Sequence, residues 1–375
     1  MRVLHIIDSL GAGGAERVVK NLLEYRHDKD LFLYALRSVE RPLLVAHPNV
    51  MTYPFSSRFT LGPLQKLRAW IHAHPVDILH CHLFRAQVFG WLLKAFYFPK
   101  TALVFHEHGR VFGSELNSIV EDRLYLAFLR IASTRVDRFI AISRATRSRL
   151  MSRAVIKVGK ITTLYNFVDP EFCQPGRSSG HRSASRLQGL EGASSPFHVG
   201  FAGRLVPRKG VRTFLAAAEL IAGQASGFKF LIAGDGPERE WVQEKARTGV
   251  LSGSVSYLGH IRDIASFYND LDCLVVPSTW EPQGLVEIEA QTLGVPVIVS
   301  DTEALNEIIQ DGQNGLLFET GNAADLAAKI QLLQSQPGLC HRLMAGGLET
   351  ARQYDISRYV AQLETLYEDV VSVAS

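Results

Sequence analysis

Two glutamates and two cations carry the most chemical information in this sequence. Residues 281–289 read Glu-Pro-Gln-Gly-Leu-Val-Glu-Ile-Glu, so Glu281 and Glu289 lie on either side of a predicted loop-to-helix junction. Residues 203–210 read Gly-Arg-Leu-Val-Pro-Arg-Lys-Gly and place Arg204 and Lys209 between two glycines. Carboxylates suit the hydroxyls of a sugar, whereas cations beside accessible backbone amides suit a diphosphate. A nucleotide-diphospho-sugar contains both parts.

A second glycine-rich segment, Gly-Ala-Gly-Gly-Ala-Glu at residues 11–16, follows the first predicted strand and opens a helix. Gly13 and Gly14 let backbone amides face a phosphate or a sugar, and the helix N-terminus adds partial positive charge. The segment lacks the third glycine of the dinucleotide fingerprint. A tight turn without a ligand is the alternative interpretation.

Histidines stand at the ends of two predicted strands, as His80 and His82 and then as His106 and His108. Spacing by two places each pair on one face of its strand. A metal site is one interpretation, with Cys81 as a further ligand, but Cys81 points to the other face of a regular strand. The pattern favours His108 as a hydrogen-bonding partner of a substrate hydroxyl or phosphate, with the other histidines as packing residues.

The elements that would position these residues alternate between strand and helix in both halves of the chain. Such alternation predicts an α/β fold with two doubly wound, Rossmann-like domains that face each other across a cleft. The segment 174–196 is rich in Ser, Gly and Pro and predicts a linker. The predicted organisation is an acceptor-binding domain at residues 1–173, a nucleotide-sugar-binding domain at residues 197–355, and a helix at residues 356–375 that could cross back to the first domain.

Composition predicts a globular protein with an uneven charge distribution. Hydrophobic residues make up 47% of the 375 positions and charged residues 21%. Residues 1–175 carry 24 Lys and Arg against 14 Asp and Glu, whereas the later residues carry 16 against 23. The basic first half predicts an anionic partner, and a membrane surface or a phosphate-bearing acceptor fits better than nucleic acid.

With these motifs assembled, the sequence resembles the family 4 retaining glycosyltransferases, also described as glycosyl transferases group 1, which have the GT-B fold. The resemblance runs over nearly the whole chain. It rests on several short segments in each half: residues 13–16, 77–82, 106–109, Ser143 with Arg147, 165–169, 203–204 with Lys209, 234–237, 258–259, 277–278, 281–289, 294–297 and 311–315.

The resemblance implies a role for each candidate residue. Arg204 and Lys209 would hold the diphosphate, Glu281 would contact the donor sugar, and Glu289 would contact the ribose. Catalysis would depend on Glu281, His108, Arg204 and Lys209. The wider sets follow from the same motifs: the donor side would comprise Gly13, Gly14, Gly203, Arg204, Lys209, His260, Ile261, Gln283, Gly284, Leu285 and Glu289, and the acceptor side Glu16, His82 and Arg147.

Asn166-Phe167 stands where the family often has Asn-Gly, and two further departures concern the sugar end of the donor site. Gln283 replaces the usual Phe, and Glu303-Ala304 replaces a common Gly-Gly pair. Glu287 crowds the motif, and a shifted register would make it the ribose ligand. Asp270-Leu-Asp272 matches the Asp-x-Asp metal motif of another class of sugar transferases, but Asp272 leads directly into a predicted strand. We therefore interpret that match as chance.

The predicted function is metal-independent transfer of a hexose, with retention, from a UDP- or GDP-sugar to a glycan or lipid-linked acceptor. The expected setting is bacterial cell-surface polysaccharide or glycoconjugate synthesis, with no cofactor beyond the nucleotide-sugar. Alternatives are an epimerase or phosphorylase of the same fold, or an inactive nucleotide-sugar-binding protein. The strand-like N-terminus and four scattered cysteines predict a cytoplasmic protein. The aromatic segment 85–100, if its cations face outward, predicts peripheral contact with an anionic leaflet.

Overall fold

The computed structural model describes residues 1–11, 13–26, 28–40, 42–54, 61–109, 119–173 and 196–374. The chain forms two compact units: Met1–Phe167 together with Ile356–Ser375, and Val168–Asp355. The division falls at Phe167, ahead of the predicted linker, of which residues 174–195 lie outside the described residues.

The first unit is a parallel sheet of seven strands with helices between them. Its strands are Val3–Ile7 (β1), Leu31–Ala35 (β2), Val50–Thr52 (β3), Ile78–His82 (β4), Ala102–Glu107 (β5), Arg138–Ala141 (β6) and Ile161–Thr163 (β7). Its helices are Gly14–Arg26 (α1), Gly62–Ala73 (α2), Phe84–Phe96 (α3), Ile119–Ala132 (α4), Arg144–Arg153 (α5) and Ile356–Ala374 (α12).

The second unit is a parallel sheet of six strands. Its strands are Phe197–Ala202 (β8), Phe228–Ala233 (β9), Val255–Gly259 (β10), Cys273–Val276 (β11), Val297–Ser300 (β12) and Leu316–Phe318 (β13). Its helices are Val211–Ala222 (α6), Arg239–Arg247 (α7), Ile264–Asn269 (α8), Val286–Thr292 (α9), Ala323–Ser335 (α10) and Pro337–Ala351 (α11). Short 3-10 turns, including Pro207–Lys209, join them.

Both sheets are doubly wound, which confirms the predicted α/β fold class. The strand orders are β3-β2-β1-β4-β5-β6-β7 and β10-β9-β8-β11-β12-β13. In each sheet the order reverses beside the first strand of the unit, between β1 and β4 and between β8 and β11. Ligands of open parallel sheets bind outside the carboxyl ends of the strands at this reversal. The loops after β1, β8 and β11 are therefore the ones placed to bind.

The C-terminal helix α12 completes the core of the first unit. Leu363, Leu366, Tyr367 and Val370 of α12 are buried in one cluster with residues of β1, β2 and α1. Central strands such as β1 and β4 are buried along their whole length. That burial is typical of parallel strands covered on both faces.

The cations of the aromatic segment 85–100 do not all face outward. The expected outward orientation of these cations is therefore wrong. Lys94 is buried and forms an ion pair with Asp137. Arg85 lies 3.6 Å from Asp8 with only 15% of its side chain exposed, whereas Lys100 just beyond the helix is exposed. Within the described residues, none of the helices has the length and apolarity needed to span a membrane.

Candidate active site

Two loops of the second unit meet at the point where its strand order reverses. Gly203 follows β8, and Pro277 and Ser278 follow β11, which pairs directly with β8. The two loops approach very closely at Gly210, where φ is +73° and a Cβ atom would lie 1.8 Å from the carbonyl oxygen of Pro277. Only glycine fits this position. The close approach brings Lys209 beside the loop that carries Glu281.

The carboxylate of Glu281 is buried and held by a cation and a hydroxyl. Lys209 Nζ donates to Glu281 Oε1, and Ser278 Oγ donates to the same oxygen at 2.8 Å. Arg208 lies 3.9 Å from Glu281 Oε2. The side chain of Glu281 is only 6% exposed. Pairing and hydrogen bonding of this kind offset the cost of removing a carboxylate from water.

The second glutamate of the motif, Glu289, lies in the first turn of α9. It is half-buried, and the hydroxyl of Tyr268 donates to its Oε2 at 3.0 Å. Glu287, the alternative ribose ligand, is fully buried against Gly284, where a Cβ would lie 1.4 Å from Glu287 Oε1. Burial, with a smaller contribution from the charge of Glu281, raises the pKa of Glu287 to about 8. The more accessible carboxylate is that of Glu289, which favours it as the ligand-facing group.

The other predicted donor residues of the second unit lie at the start of α9 and in the loop after β10. Gln283 and Gly284 are buried at the start of α9, and Leu285 is half-buried. His260 is exposed and Ile261 half-buried in the loop after β10. Gly234, which follows β9, must be glycine because a Cβ there would lie 1.8 Å from the carbonyl oxygen of Gly203.

Arg204 differs from Lys209 in its surroundings. It is exposed, and within the described part of the chain no ion pair forms with it. Arg208, which the sequence argument passed over, is the arginine near Glu281 and also lies over the ring of Trp280. The sequence signal that could have identified Arg208 is its position one residue before Lys209 in the same basic turn.

In the first unit, the glycine loop after β1 contacts a glutamate of its own helix. A Cβ on Gly13 would lie 2.2 Å from Glu16 Oε2, so the carboxyl of Glu16 folds back over the loop. Burial raises the pKa of Glu16. Gly14 has open space where a side chain would stand. Residue 12 of this loop lies outside the described residues.

The histidines of β4 and β5 lie on one face of the sheet, with two partners that the sequence did not reveal. These partners are His5 of β1 and Tyr367 of α12. His82 is buried, with one ring nitrogen 2.9 Å from His5 and the other 2.9 Å from His108. His108 is half-buried and precedes Gly109, at φ +79°. The structure therefore places His82 behind His108.

Two further sequence motifs have clear local surroundings. Arg147 is half-buried in α5, whose N-cap Ser143 accepts a hydrogen bond from the Thr146 amide at 3.0 Å. Asp272 Oδ2 accepts from the His198 amide at 2.7 Å, and the carbonyl of Asp270 lies 3.0 Å from His198 Nδ1. These bonds join the start of β11 to β8, which supports a structural role for the two aspartates.

Comparison with known proteins gives matches over both units. The family model described as Glycosyltransferase Family 4 matches residues 12–172, and the model described as Glycosyl transferases group 1 matches residues 190–349. The capsular polysaccharide biosynthesis glycosyltransferase CapM of Staphylococcus aureus is 25% identical over 93% of each chain. The putative glycosyltransferase EpsD of Bacillus subtilis is 25% identical over 84% of this chain and 82% of its own.

Solved structures share the fold at lower sequence identity. HepE of Anabaena in complex with UDP superposes with a TM-score of 0.78 at 22% identity, covering 98% of this chain and all of its own. A sucrose-phosphate synthase of Thermosynechococcus elongatus superposes with a TM-score of 0.77 at 22% identity, covering both chains completely.

Proposed function

Because the chain belongs to the family 4 glycosyltransferases, which have the GT-B fold, we propose that it is a retaining, metal-independent hexosyltransferase. The donor is a UDP- or GDP-hexose, and the acceptor is a glycan or a lipid-linked sugar. UDP is the first nucleotide to test, since HepE of Anabaena binds it. Bacterial cell-surface polysaccharide synthesis is the proposed setting, as for CapM.

The observation that carries this proposal is the Lys209–Glu281–Ser278 cluster where the strand order of the second unit reverses. Both ends of a nucleotide-diphospho-sugar find partners there. Lys209 turns from Glu281 to the departing diphosphate, and Glu281 then accepts hydrogen bonds from the sugar hydroxyls. Arg204 is exposed in the adjacent loop and supplies a second cation. Preorganised charges of this kind stabilise a leaving group most effectively.

Retention in this proposal does not use the paired carboxylates of retaining hydrolases. There, one carboxylate attacks the sugar and a second acts as acid and base. Here Glu281 accepts hydrogen bonds from Ser278 and the sugar hydroxyls, and burial raises the pKa of Glu287 to about 8, which favours its neutral form at neutral pH. We propose that the acceptor attacks from the face that the diphosphate leaves, while Lys209 and Arg204 hold that diphosphate. The first unit binds the acceptor, with Glu16, Arg147 and His108 on its binding side.

The direct test is donor turnover without an acceptor. The full chain incubated with UDP-hexoses and GDP-hexoses in excess EDTA should slowly release nucleoside diphosphate and free sugar from one of them. Turnover should persist in EDTA because Lys209 and Arg204 replace the cation. Complete loss in EDTA with recovery in Mn²⁺ would contradict metal independence. Binding without turnover would favour the inactive binding protein, and an altered sugar still attached to nucleotide would favour an epimerase.

The proposal includes a cytoplasmic location with peripheral contact to an anionic membrane through α4. The outward face of α4 is an apolar stripe at helical spacing, formed by Val120, Leu124, Ala127 and Ile131, all exposed. Exposed Arg123 and Arg130 lie along one edge of the stripe. An apolar stripe edged by arginines suits the interfacial region of a bilayer. We therefore propose this stripe of α4 as the membrane-contact surface, in place of the cations of α3, two of which face inward.

We expect Leu124→Ser to weaken binding of the protein to vesicles that contain anionic lipid, and Arg123→Glu to weaken it further. Each cation near an anionic surface contributes about 1 kcal/mol, so Arg123→Glu should reduce partitioning about tenfold or more at low salt. Co-sedimentation with vesicles measures the change. Val250→Ser is the matched control, because Val250 is exposed in the second unit. If all variants bind the vesicles equally, or if the protein does not bind anionic vesicles, the membrane contact is contradicted. The proposed acceptor is then a soluble one.

A further inference from the structure

Six polar side chains form one continuous line through the interior of the first unit. His5, His80, His82 and His106 are buried and His108 is half-buried, all on the same face of three adjacent strands. Strand register sets the line, because His5 is paired with His80 across β1 and β4, and His82 with His106 across β4 and β5. Tyr367 of α12 is fully buried beside them.

The contacts run from one side chain to the next without a branch. Beginning at the outer end, His108 Nε2 lies 2.9 Å from His82 Nδ1, and His82 Nε2 lies 2.9 Å from His5 Nδ1. His5 Nε2 lies 3.4 Å from the hydroxyl of Tyr367. That hydroxyl is 2.5 Å from His80 Nδ1, and His80 Nε2 is 3.2 Å from His106 Nδ1. We call these six residues the histidine file.

Burial lowers the pKa of each ring in the file, including His108, and so favours the neutral form. Burial lowers the pKa of His5 to about 3 and those of His80, His82 and His106 well below their usual value. A neutral imidazole has one N–H donor and one bare nitrogen, and a tyrosine hydroxyl likewise donates one proton and accepts another. All five contacts can be hydrogen bonds, and the buried hydroxyl proton of Tyr367 can also find an acceptor, only if every ring carries its proton on the same nitrogen. The file is either entirely Nε2–H or entirely Nδ1–H.

The two contacts of Tyr367 decide between these directions. Bonds donated by a hydroxyl run about 2.5–3.0 Å, whereas bonds donated by N–H run about 2.7–3.2 Å and weaken beyond that range. The 2.5 Å contact to His80 fits donation by the hydroxyl, and the 3.4 Å contact to His5 fits a weak bond donated by the ring. In this direction His80 accepts at Nδ1, so its proton is on Nε2.

We propose that the histidine file is a single directional hydrogen-bonded unit in which all five rings are Nε2–H tautomers, and that Tyr367 is the positioning residue that sets this direction. The proton on Nε2 of His108 is then donated inward to His82. Nδ1 of His108 is left bare, with no hydrogen-bond partner among the residues that the structure describes. The inner end is His106 Nε2, which has no partner either.

The direction of the file selects the kind of group that His108 can bind. A bare, neutral Nδ1 accepts a hydrogen bond from a hydroxyl and has no proton to offer an anionic phosphate oxygen. His108 therefore recognises a sugar hydroxyl rather than a phosphate. This last step rests on the proposed glycosyl transfer, whereas the tautomers do not depend on it.

The tautomers can be measured directly in the full chain. Nitrogen-15 NMR of histidine-labelled protein separates Nε2–H, Nδ1–H and charged rings by their chemical shifts. We expect His5, His80, His82, His106 and His108 to give Nε2–H patterns at neutral pH, before any nucleotide-sugar is added. An Nδ1–H pattern for these rings, or a charged ring among them, would overturn the proposal even if the protein transfers sugar.

Two tyrosines on α12 provide a matched pair of variants. Tyr367→Phe removes the hydroxyl between His5 and His80 and should give His5, His82 and His108 a mixture of both tautomers. Tyr359→Phe removes an equally buried hydroxyl that has no partner, so it should leave the Nε2–H patterns unchanged. Unchanged tautomers in Tyr367→Phe would show that Tyr367 does not set the direction. If that variant fails to fold, the wild-type spectrum still decides the direction.

A metal ion is the competing occupant. His5, His80 and His82 have potential ligand atoms within 4.8 Å of one another, as do His82, His106 and His108. However, four nitrogens bound to a tetrahedral zinc at about 2.05 Å lie about 3.3 Å apart, and the two 2.9 Å contacts of His82 are shorter. We expect added Zn²⁺ to leave the file's NMR signals unchanged. Stoichiometric Zn²⁺ binding that shifts His82 and its neighbours would replace the hydrogen-bonded file with a metal site.

Discussion

Lys209→Ala should lower kcat/KM for donor-dependent transfer by about 30- to 1,000-fold, and Arg204→Ala should fall in the same range. The loss corresponds to roughly 2–4 kcal/mol of transition-state stabilisation, as for removal of one preorganised charge partner elsewhere. Lys209 lies against Glu281 at the reversal of strand order, so its ammonium group only has to turn from Glu281 to meet a diphosphate bound there. Initial rates of nucleoside diphosphate release measure the effect.

The two variants differ in what else they disturb. Lys209→Ala also removes a partner of buried Glu281, whereas Arg204 is exposed and its removal should leave the fold intact. Lys245→Ala is a suitable control, because Lys245 pairs with Glu219 3.0 Å away on the same unit. It should retain wild-type transfer. Wild-type rates in both Lys209→Ala and Arg204→Ala would show that the diphosphate binds elsewhere.

Gly210→Ala is expected to destabilise the second unit by about 2–5 kcal/mol and to abolish saturable donor binding. A left-handed backbone costs a residue with a Cβ roughly 1–2 kcal/mol, and φ at Gly210 is +73°. The new Cβ would also lie 1.8 Å from the carbonyl oxygen of Pro277. Backbone shifts forced by such overpacking cost typically about 1–3 kcal/mol more. The shift would move Lys209 away from Glu281.

Gly312→Ala separates the two contributions. Gly312 has φ +71° but nothing within 4 Å of the position of an added Cβ, so it tests backbone conformation without the clash. Urea unfolding of both variants should show a smaller loss of about 1–2 kcal/mol for Gly312→Ala. Equal losses in the two variants would mean that the contact with Pro277 is not important. Titration of each variant with nucleotide then reports whether donor binding is lost together with stability.

Local sequence signals predicted the elements that carry the site. Apolar patterns flanked by glycines predict helix α6 and strand β9, and a short apolar run predicts β11. Short edge strands were missed, because the three residues of β3 and of β7 show no periodicity. Helix α4 was missed because apolar residues occur on its exposed face as well as its buried one.

Contacts between distant residues could not be predicted in the same way. Because the carboxyl ends of parallel strands meet at one edge of a sheet, the sequence predicted that Lys209 and Glu281 lie in one site. It did not predict that their side chains pair across 72 positions. His5 and Tyr367 are 362 positions apart, and only the packing of α12 on β1 brings them together. Such pairs depend on three-dimensional packing that no local pattern encodes.

The path of the chain through its two units has a consequence for synthesis on the ribosome. The second unit is formed by one continuous stretch, Val168–Asp355, whereas the first is formed by Met1–Phe167 and Ile356–Ser375. Domains generally fold as units while the chain is made, from the N-terminus onward. Here the two units complete their cores in the opposite order. The first sheet is made early, but its core is incomplete until Leu363, Tyr367 and Val370 pack against it. The second unit therefore completes its core first, and the first unit is closed only after α12 has been made.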